Sequence, residues 1–456
     1  MTWNEDQPWF LPAGLGARAG EASTPVLVGE IAAKLWAARK AYLSRLPVLE
    51  IVEILDSVVA AWLAPDSRWM TVASRRIAGA TPYSERMVET GIRRLLQGCR
   101  KEALLELLRE ELDDPVVLDG FRPRRAGGGV HRACGPRLTT HIFSGNVPAL
   151  PAISLIHALL VKSACLGKPA SEELVFPALF ARSVAAVDAK LGSAVAILPW
   201  PGGDRIVEQA AFAASDAVVV SGSDDAVDSI RSRVPPTVRF VGHGHKLSFA
   251  VIGRDALDPE TADNLADRVA YDVSLFDQQG CVSAQVVYVE RGGRISPQAF
   301  AERLATAMAG FERAMPRGVL TVEEAAAIQQ ARTAAEFGEL RDEAVRLFAS
   351  EGGTAWTVIY EDDPAFSLSC LNRVVRVKAV TDLTEVPGLV RPFSRHLQSV
   401  GVAVSRERRL RLAEALAPLG VCRICPIGQM PHPPLTWHHD GGYSLLPLLR
   451  WVTIEG

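Results

Sequence analysis

The segment Phe276-Asp277-Gln278-Gln279-Gly280-Cys281 sets a thiol directly after a glycine, where a substrate carbonyl can approach closely. A thiolate is a strong nucleophile even when only partly ionised, so this setting suits covalent acyl chemistry. Taken alone, Cys281 is one of seven cysteines, small residues that usually fill cores. Three further segments shift that balance. Gly145-Asn146-Val147-Pro148 follows an expected strand, so Asn146 sits at the sheet's carboxyl edge with an amide free to donate to an oxyanion. Leu166-Gly167-Lys168-Pro169 ends the next strand and sets a cation where a nucleotide ribose would lie. Val220-Ser221-Gly222-Ser223 ends a later strand and opens a helix whose outward N–H groups suit a phosphate. Ser223 followed by Asp224 and Asp225 equally fits a plain helix cap. His243 and His245 are candidates for proton transfer, because imidazole titrates near neutrality; a structural place in a glycine-rich turn suits them as well. The tail carries Cys422, Cys425, His432, His438 and His439. Cys-x-x-Cys is half a zinc site, but the proline-rich spacing to the histidines is not a standard one, and no metal is expected.

These residues need a scaffold that brings strand ends together. From Thr139 the pattern alternates: strand Thr140–Ser144, helix Ala152–Val161, strand Ser163–Leu166, helix Glu172–Asp188, strand Ala194–Leu198, helix Asp204–Ala214, strand Ala217–Val220, helix Asp224–Ser232, strand Val238–Val241. Such alternation predicts a doubly wound parallel sheet with helices on both faces. A second α/β unit follows, with strands near Phe249–Ile252, Ala284–Val289, Trp356–Tyr360 and Val374–Val380. Its helices fall near Ala262–Asp272, Pro297–Ala309 and Val322–Phe348. Before Thr139, helical spacing marks Ile31, Leu35, Ala38 and Tyr42, then Val52 to Leu63, then Ser84–Gly98 and Ala103–Leu112. Residues 116–138 alternate and turn on Ala126-Gly127-Gly128-Gly129, which predicts an exposed hairpin or arm. The tail ends in the strand-like Leu448–Ile454.

The composition agrees with a soluble enzyme of two or three domains. The chain has 456 residues, 22% of them charged, with a formal net charge of −3. That charge offers no general attraction to a phosphate backbone, so no nucleic-acid partner is expected. The arginine runs at 122–125 and 406–411 read as solvated faces. The apolar run Val147–Leu166 is interrupted by Pro148, Pro151, His157 and Lys162 and reads as core, so no membrane partner is expected. The first twenty residues lack the basic and apolar stretches of a signal peptide, and the odd, irregular cysteines suit a reducing cytoplasm.

Taken in order, the Asn, Lys, Gly-Ser and Cys segments resemble the aldehyde dehydrogenase superfamily. His141 to Pro148, Phe276 to Cys281, and the tail Trp437-His438-His439-Asp440-Gly441 with Arg450-Trp451 are most similar to its acyl-CoA reductase (LuxC-like) branch. The ordered match spans residues 139–456. The resemblance implies an α/β aldehyde-dehydrogenase-like fold. The N-terminal helical part is 1–112, an oligomerisation arm 113–138, a Rossmann-like cofactor domain 139–243, a catalytic domain 244–430 and a C-terminal oligomerisation segment 431–456. It implies Cys281 and Asn146 as catalytic residues, and Ser144, Lys168, Ser171, Ser221, Gly222 and Ser223 as cofactor-binding. Oxidising members keep a glutamate before Gly-Gly-Lys; here Val241 to Lys246 has glycine at that place, which suits acyl transfer to and from thiols over hydrolysis. The glutamate that usually holds the nicotinamide ribose is also missing from Ser367–Arg373. Ser171 stands where a carboxylate would repel a 2′-phosphate, so NADPH is expected ahead of NADH.

The expected activity is therefore NADPH-dependent reduction of an acyl thioester, CoA-linked or carrier-bound, to an aldehyde through a Cys281 acyl-enzyme. An acyl-transferring synthetase or a carrier protein is the expected partner, in a homodimer or homotetramer. The rival readings are an NAD-dependent (acylating) aldehyde dehydrogenase, a Cys-dependent acyltransferase or thioesterase, and an inactive relative serving as a scaffold.

Overall fold

The computed structural model describes residues 7–15, 23–125, 127–341 and 344–456. Three sheets organise it. The first is a five-stranded, wholly parallel sheet in the spatial order Val195–Ile197, Ala164–Lys168, Leu138–Ile142, Ala217–Ser221, Arg239–His243. The chain starts at the middle strand, builds outward on one side, then returns to build the other. Strand order therefore reverses between Leu138–Ile142 and Ala217–Ser221, the crevice where doubly wound folds bind ligands. Leu138–Ile142 and Ala164–Lys168 are buried along their whole length, as continuous strands covered on both faces must be.

Five helices between Pro25 and Leu112 join this unit. Val48–Leu63 and Arg68–Ala80 pack on Val175–Val187, and Pro25–Ala38 on Arg205–Ala213. Trp62 anchors the contact: its ring lies against Trp69, Phe176 and Phe180, and its Nε1–H donates to Ser183 Oγ at 2.8 Å. The helix Arg68–Ala80 was not singled out within the part expected to be helical, because the polar residues between its buried Trp69, Val72, Ala73 and Ile77 mask the spacing.

The second sheet has seven strands in the order Val345–Ala349, Thr357–Glu361, Val374–Val380, Ala284–Glu290, Leu247–Ile252, Leu397–Ala403, Arg423–Pro426. All its neighbours are parallel except the first pair. The helix expected over Val322–Phe348 is corrected here: it ends at Leu340, and Val345–Ala349 is the antiparallel edge strand. A short apolar run such as Val345-Arg346-Leu347-Phe348 cannot be assigned by periodicity alone, and pairing with Thr357–Glu361 decides it. The strand Leu397–Ala403 and helix Arg406–Leu416 went unread for a similar reason, the helix presenting four arginines and only Leu412 and Leu416 buried. The third sheet joins Arg122–Pro123, Val130–Cys134 and the C-terminal Arg450–Ile454, all antiparallel. Ala126, in the expected turn of that arm, lies outside the described residues.

The run Val147–Leu166 is the buried helix Leu150–Leu160 leading into the strand at Ala164. Among the described residues no helix is long and apolar enough to cross a membrane.

Candidate active site

The loop that carries Cys281 is held in a costly backbone conformation. Phe276, Asp277 and Gln278 have φ of 54°, 51° and 67°, and Leu371, Asn372 and Arg373, facing them, have 62°, 55° and 64°. Non-glycine residues in this left-handed region cost about 1–3 kcal/mol each and persist only where the surroundings dictate them. Here the two segments brace one another. Arg373, 1% exposed, donates through Nε to Asp277 Oδ1 at 2.8 Å, through Nη1 to Glu312 Oε2 at 2.5 Å and through Nη2 to Met315 O at 3.0 Å. Gln278 accepts from Val374 N–H at 3.1 Å and donates to Ala284 O at 2.8 Å. The Gln279 amide donates to Asn372 Oδ1 at 3.1 Å. Behind the loop, the Phe276 ring fills a gap on the helix Glu85–Gln97, where a Cβ on Gly91 would come within 2.2 Å of it.

Asn146 follows the strand Leu138–Ile142 and reaches this loop: its Nδ2–H donates to Gln279 O at 2.9 Å. Tyr83 Oη donates to Asn146 O and fixes the backbone on the other side. The amide therefore meets the backbone two residues before Cys281. Cys281 is half-buried. Its carbonyl accepts from Ser248 Oγ at 2.7 Å. Burial, reinforced by the Asp440 carboxylate, pushes the thiol up to about 11, against the Gln398 amide beside it. The strand after the cysteine begins at Ala284, where the sequence set it, and runs to Glu290.

The histidine pair divides. His243 ends the last strand of the five-stranded sheet, and its Nδ1 lies 2.8 Å from Asp440 Oδ2. The His439 ring stacks on His243 with centroids 4.3 Å apart, and Trp437 stacks on His439 at 5.2 Å. Gln398 Nε2 donates to the other Asp440 oxygen at 2.8 Å. Burial pushes the Asp440 carboxyl up, but the bond with His243, the neighbouring His439 and the Gln398 amide outweigh it and hold it well below the usual range. Burial, and then His243, push His439 down to about 4. His245 is exposed and lies outside this cluster: its backbone N–H donates to Asp224 Oδ1 at 2.7 Å, and its ring faces His396.

Asp440 was quoted in the sequence only as part of a tail motif, and Gln398, Tyr83 and Arg373 were not singled out at all. No spacing signal joins them to Cys281, since they arrive from elements 92 to 198 residues away. The tail is fastened across the molecule by Glu111, whose carboxylate accepts from Ser444, Leu445 and Leu446 N–H. Among the described residues, His243, His439 and Asp440 form the group that can hold a metal ion, with ligand atoms within 4.8 Å of one another. The tail cysteines are not in it, and His432 instead meets the Tyr271 hydroxyl at 2.6 Å.

The expected nucleotide residues line the carboxyl edge of the five-stranded sheet. Lys168 is 8% exposed; burial lowers its affinity for the proton, while Glu208 and Glu172 raise it. Ser144 is half-buried, and Gly145 beside it lets the backbone pass close to Ala170 and Glu172, a Cβ there falling 3.0 Å from Ala170 Cβ. Ser171 is exposed. Ser223 caps the helix Asp224–Arg231, its hydroxyl accepting from Ala226 N–H at 3.3 Å, so the capping reading holds for that side chain. Gly222 N–H donates to His243 O at 3.1 Å, tying the Ser221–Ser223 turn to the neighbouring strand. Asp224 turns its carboxylate toward His245, accepting from its N–H at 2.7 Å. A desolvated cation and a helix start, at the ends of the two strands that flank Leu138–Ile142, fit a dinucleotide.

Gly242, at the place of the glutamate that oxidising members keep, has no room for a side chain. A Cβ there would sit 2.7 Å from Phe240 Cε1 and from Val227 Cγ1. Gly242→Glu is therefore expected to lower stability by about 1–3 kcal/mol through overpacking and to gain no hydrolysis of the acyl-enzyme. Chemical denaturation with an assay for released free acid checks both halves.

Comparison with known proteins adds a family and a fold. The family model described as acyl-CoA reductase (LuxC) matches residues 43–451. The "Long-chain acyl-protein thioester reductase" of Aliivibrio fischeri is 26% identical over 414 residues, covering 89% of this chain and 82% of that protein. Its counterpart in Vibrio harveyi is 24% identical over 421 residues, covering 91% and 84%. Among solved structures, the aldehyde dehydrogenase KauB of Pseudomonas aeruginosa superposes with a TM-score of 0.72 at 14% identity, covering 95% of this chain and 90% of that one. An oxidoreductase from Marinobacter aquaeolei gives 0.71 at 16% identity, covering 92% and 90%. At such identities these structures show an aldehyde-dehydrogenase-like fold.

Proposed function

The chain belongs to the acyl-CoA reductase (LuxC) family, and on that premise we propose that it reduces an acyl thioester to an aldehyde through an acyl-enzyme on Cys281, using NADPH. The observation that supports the reading is the 2.9 Å bond from Asn146 Nδ2 to Gln279 O, two residues before the thiol in the chain.

A thioester, on CoA or on a carrier protein, presents its carbonyl to Cys281. The sulfur attacks, and the carbonyl oxygen takes up negative charge. The Asn146 amide exchanges its bond with Gln279 for one with that oxygen, joined by the Cys281 backbone N–H. The leaving thiol departs and the acyl group remains on sulfur. Ser144, Lys168, Ser171 and the Ser221–Ser223 turn would hold NADPH, which would supply the hydride for the acyl carbon. His243 is the proton donor of the two histidine candidates: Asp440 accepts from its Nδ1–H at 2.8 Å, which fixes the ring's orientation and tautomer. No base stands at position 242, so water attacks the acyl-enzyme slowly and the acyl group waits for reduction.

The partner that delivers the acyl group is a synthetase or a carrier protein. The oligomer forms through the arm, whose outer strand Arg450–Ile454 is exposed at every residue. Intact-mass spectrometry after mixing with a panel of acyl-CoAs, without nicotinamide, tests the reading. A mass gain of one acyl group, discharged as aldehyde on adding NADPH, is expected. A chain that stays unmodified, or that releases free acid at the same rate with and without NADPH, refutes it.

A further inference from the structure

Asn146 lies between the strand Leu138–Ile142 and the helix Leu150–Leu160, in neither of them, and is itself exposed. The helix after it starts on Ala149, which has φ of 75° and gives no side-chain cap. A strained connection of this kind holds its shape only where neighbours impose it. The neighbour at Asn146 is a buried phenol. Tyr83, 4% exposed, donates from Oη to Asn146 O at 2.5 Å. Burial, and then the Asp277 carboxylate, push the phenol up, so the hydroxyl keeps the proton it donates. Tyr83 comes from the link 81–84 between the helices Arg68–Ala80 and Glu85–Gln97. Its ring meets Phe276 edge-on with centroids 6.2 Å apart, at the first strained residue of the turn that leads to Cys281. Its backbone is clamped from behind. Val319 N–H donates to Pro82 O at 2.9 Å, and Gly318 N–H donates to Asp277 Oδ2 at 3.1 Å. The crossing is so close that a Cβ on Gly318 would fall 1.7 Å from Pro82 O. One side chain thus touches the amide-bearing segment with its hydroxyl and the cysteine-bearing turn with its ring.

We propose that Tyr83 is a positioning residue for acyl transfer, its hydroxyl setting the Asn146 amide against the turn that carries Cys281. The inference rests on the reading of Cys281 as the nucleophile and Asn146 as the oxyanion donor. When the sulfur bonds to the thioester carbon, the carbonyl electron pair moves onto oxygen. When that pair returns, the bond to the leaving thiol breaks and its electrons depart with the thiolate. Only the state between the two carries the oxyanion, so a donor aimed at it speeds the step without tightening the binding of the thioester. Asn146 has to release Gln279 O to serve, and a side chain that swings needs a backbone that does not. The Tyr83 hydroxyl supplies that fixed point. The acceptor that Asn146 leaves is ordered separately: Gln279 Nε2 donates to Asn372 Oδ1 at 3.1 Å, and Asn372 Nδ2 donates to Glu324 Oε1 at 3.3 Å.

Tyr83→Phe keeps the ring against Phe276 and removes the hydroxyl. Rapid-mixing intact-mass spectrometry of the full-length chain, with an acyl-CoA that loads the wild type and without nicotinamide, gives the acylation rate. In the Phe variant the maximal rate constant should fall roughly tenfold, with the half-saturating acyl-CoA concentration unchanged. Alkylation of Cys281 by iodoacetamide displaces iodide and forms no oxyanion, so it should proceed at the wild-type rate. Asn146→Ala should lose roughly a hundredfold in acylation, and adding Tyr83→Phe to it should lose nothing further. Tyr83→Met is read in the same way if the Phe variant does not fold. Wild-type acylation in the folded Tyr83 variant, an equal slowing of acylation and alkylation, or losses that multiply in the double variant overturn the proposal. A wild-type chain that accepts no acyl group sinks the reading of Cys281 and this inference with it. A wild type that loads, beside a variant indifferent to the lost hydroxyl, sinks the inference alone.

Discussion

Cys281→Ala is expected to abolish the acyl mass gain and to lower aldehyde formation by at least about ten-thousandfold, while leaving NADPH binding essentially unchanged. The reason for the split is spatial. The thiol sits on a turn braced by Arg373 and by Ser248, whereas the expected nucleotide residues lie on the carboxyl ends of a separate sheet. Removing one sulfur atom deletes the covalent step and disturbs neither Lys168 nor the helix start at Ser223. Intact-mass spectrometry and fluorescence titration with NADPH measure the two halves on the same sample. Retained reductase activity in this variant would sink the assignment, since a direct hydride transfer to the free thioester would then have to be the route.

Arg373→Met should have the next largest effect, on stability and activity together. The guanidinium is 1% exposed and serves Asp277, Glu312 and the Met315 carbonyl. Burial already pushes the Asp277 carboxyl up, with Arg373 the leading opposing influence. Removing one member of a buried ion pair strands the other charge, which typically costs about 3–5 kcal/mol. The strained residues 276–278 and 371–373 would also lose what holds them, so the turn carrying Cys281 should loosen. We expect a lower denaturation midpoint and slower acylation of Cys281 even under conditions where the chain remains folded. If the variant unfolds at the wild-type midpoint and acylates at the wild-type rate, the brace is not what positions the thiol.

Several parts of this molecule were legible in the residues themselves. The switch from helical to alternating strand–helix periodicity near Thr139 marks the parallel sheet, because strands covered on both faces read as unbroken apolar runs. The nucleophile candidate and its oxyanion partner could be nominated because glycine and strand-end context change what a thiol or amide can reach. The glycine at 242 could be seen to remove a base. Its deeper reason, that Phe240 and Val227 leave no room for one, is a matter of packing.

What the tertiary structure alone decided concerns residues whose partners lie far away in the chain. His243 and His245 have the same chemistry and nearly the same position, and only the return of the tail, fastened by Glu111, gives one of them a carboxylate and leaves the other on the surface. Arg373 closed a stretch read only for its missing glutamate and Gln398 lay in a strand that went unread, and long-range contacts give one the Asp277 carboxylate beneath the turn and the other the Asp440 carboxylate. Local sequence determines propensity and the kinds of side chain on offer. Which charge meets which donor is set by loop closure over tens to hundreds of residues, and no short-range pattern records it.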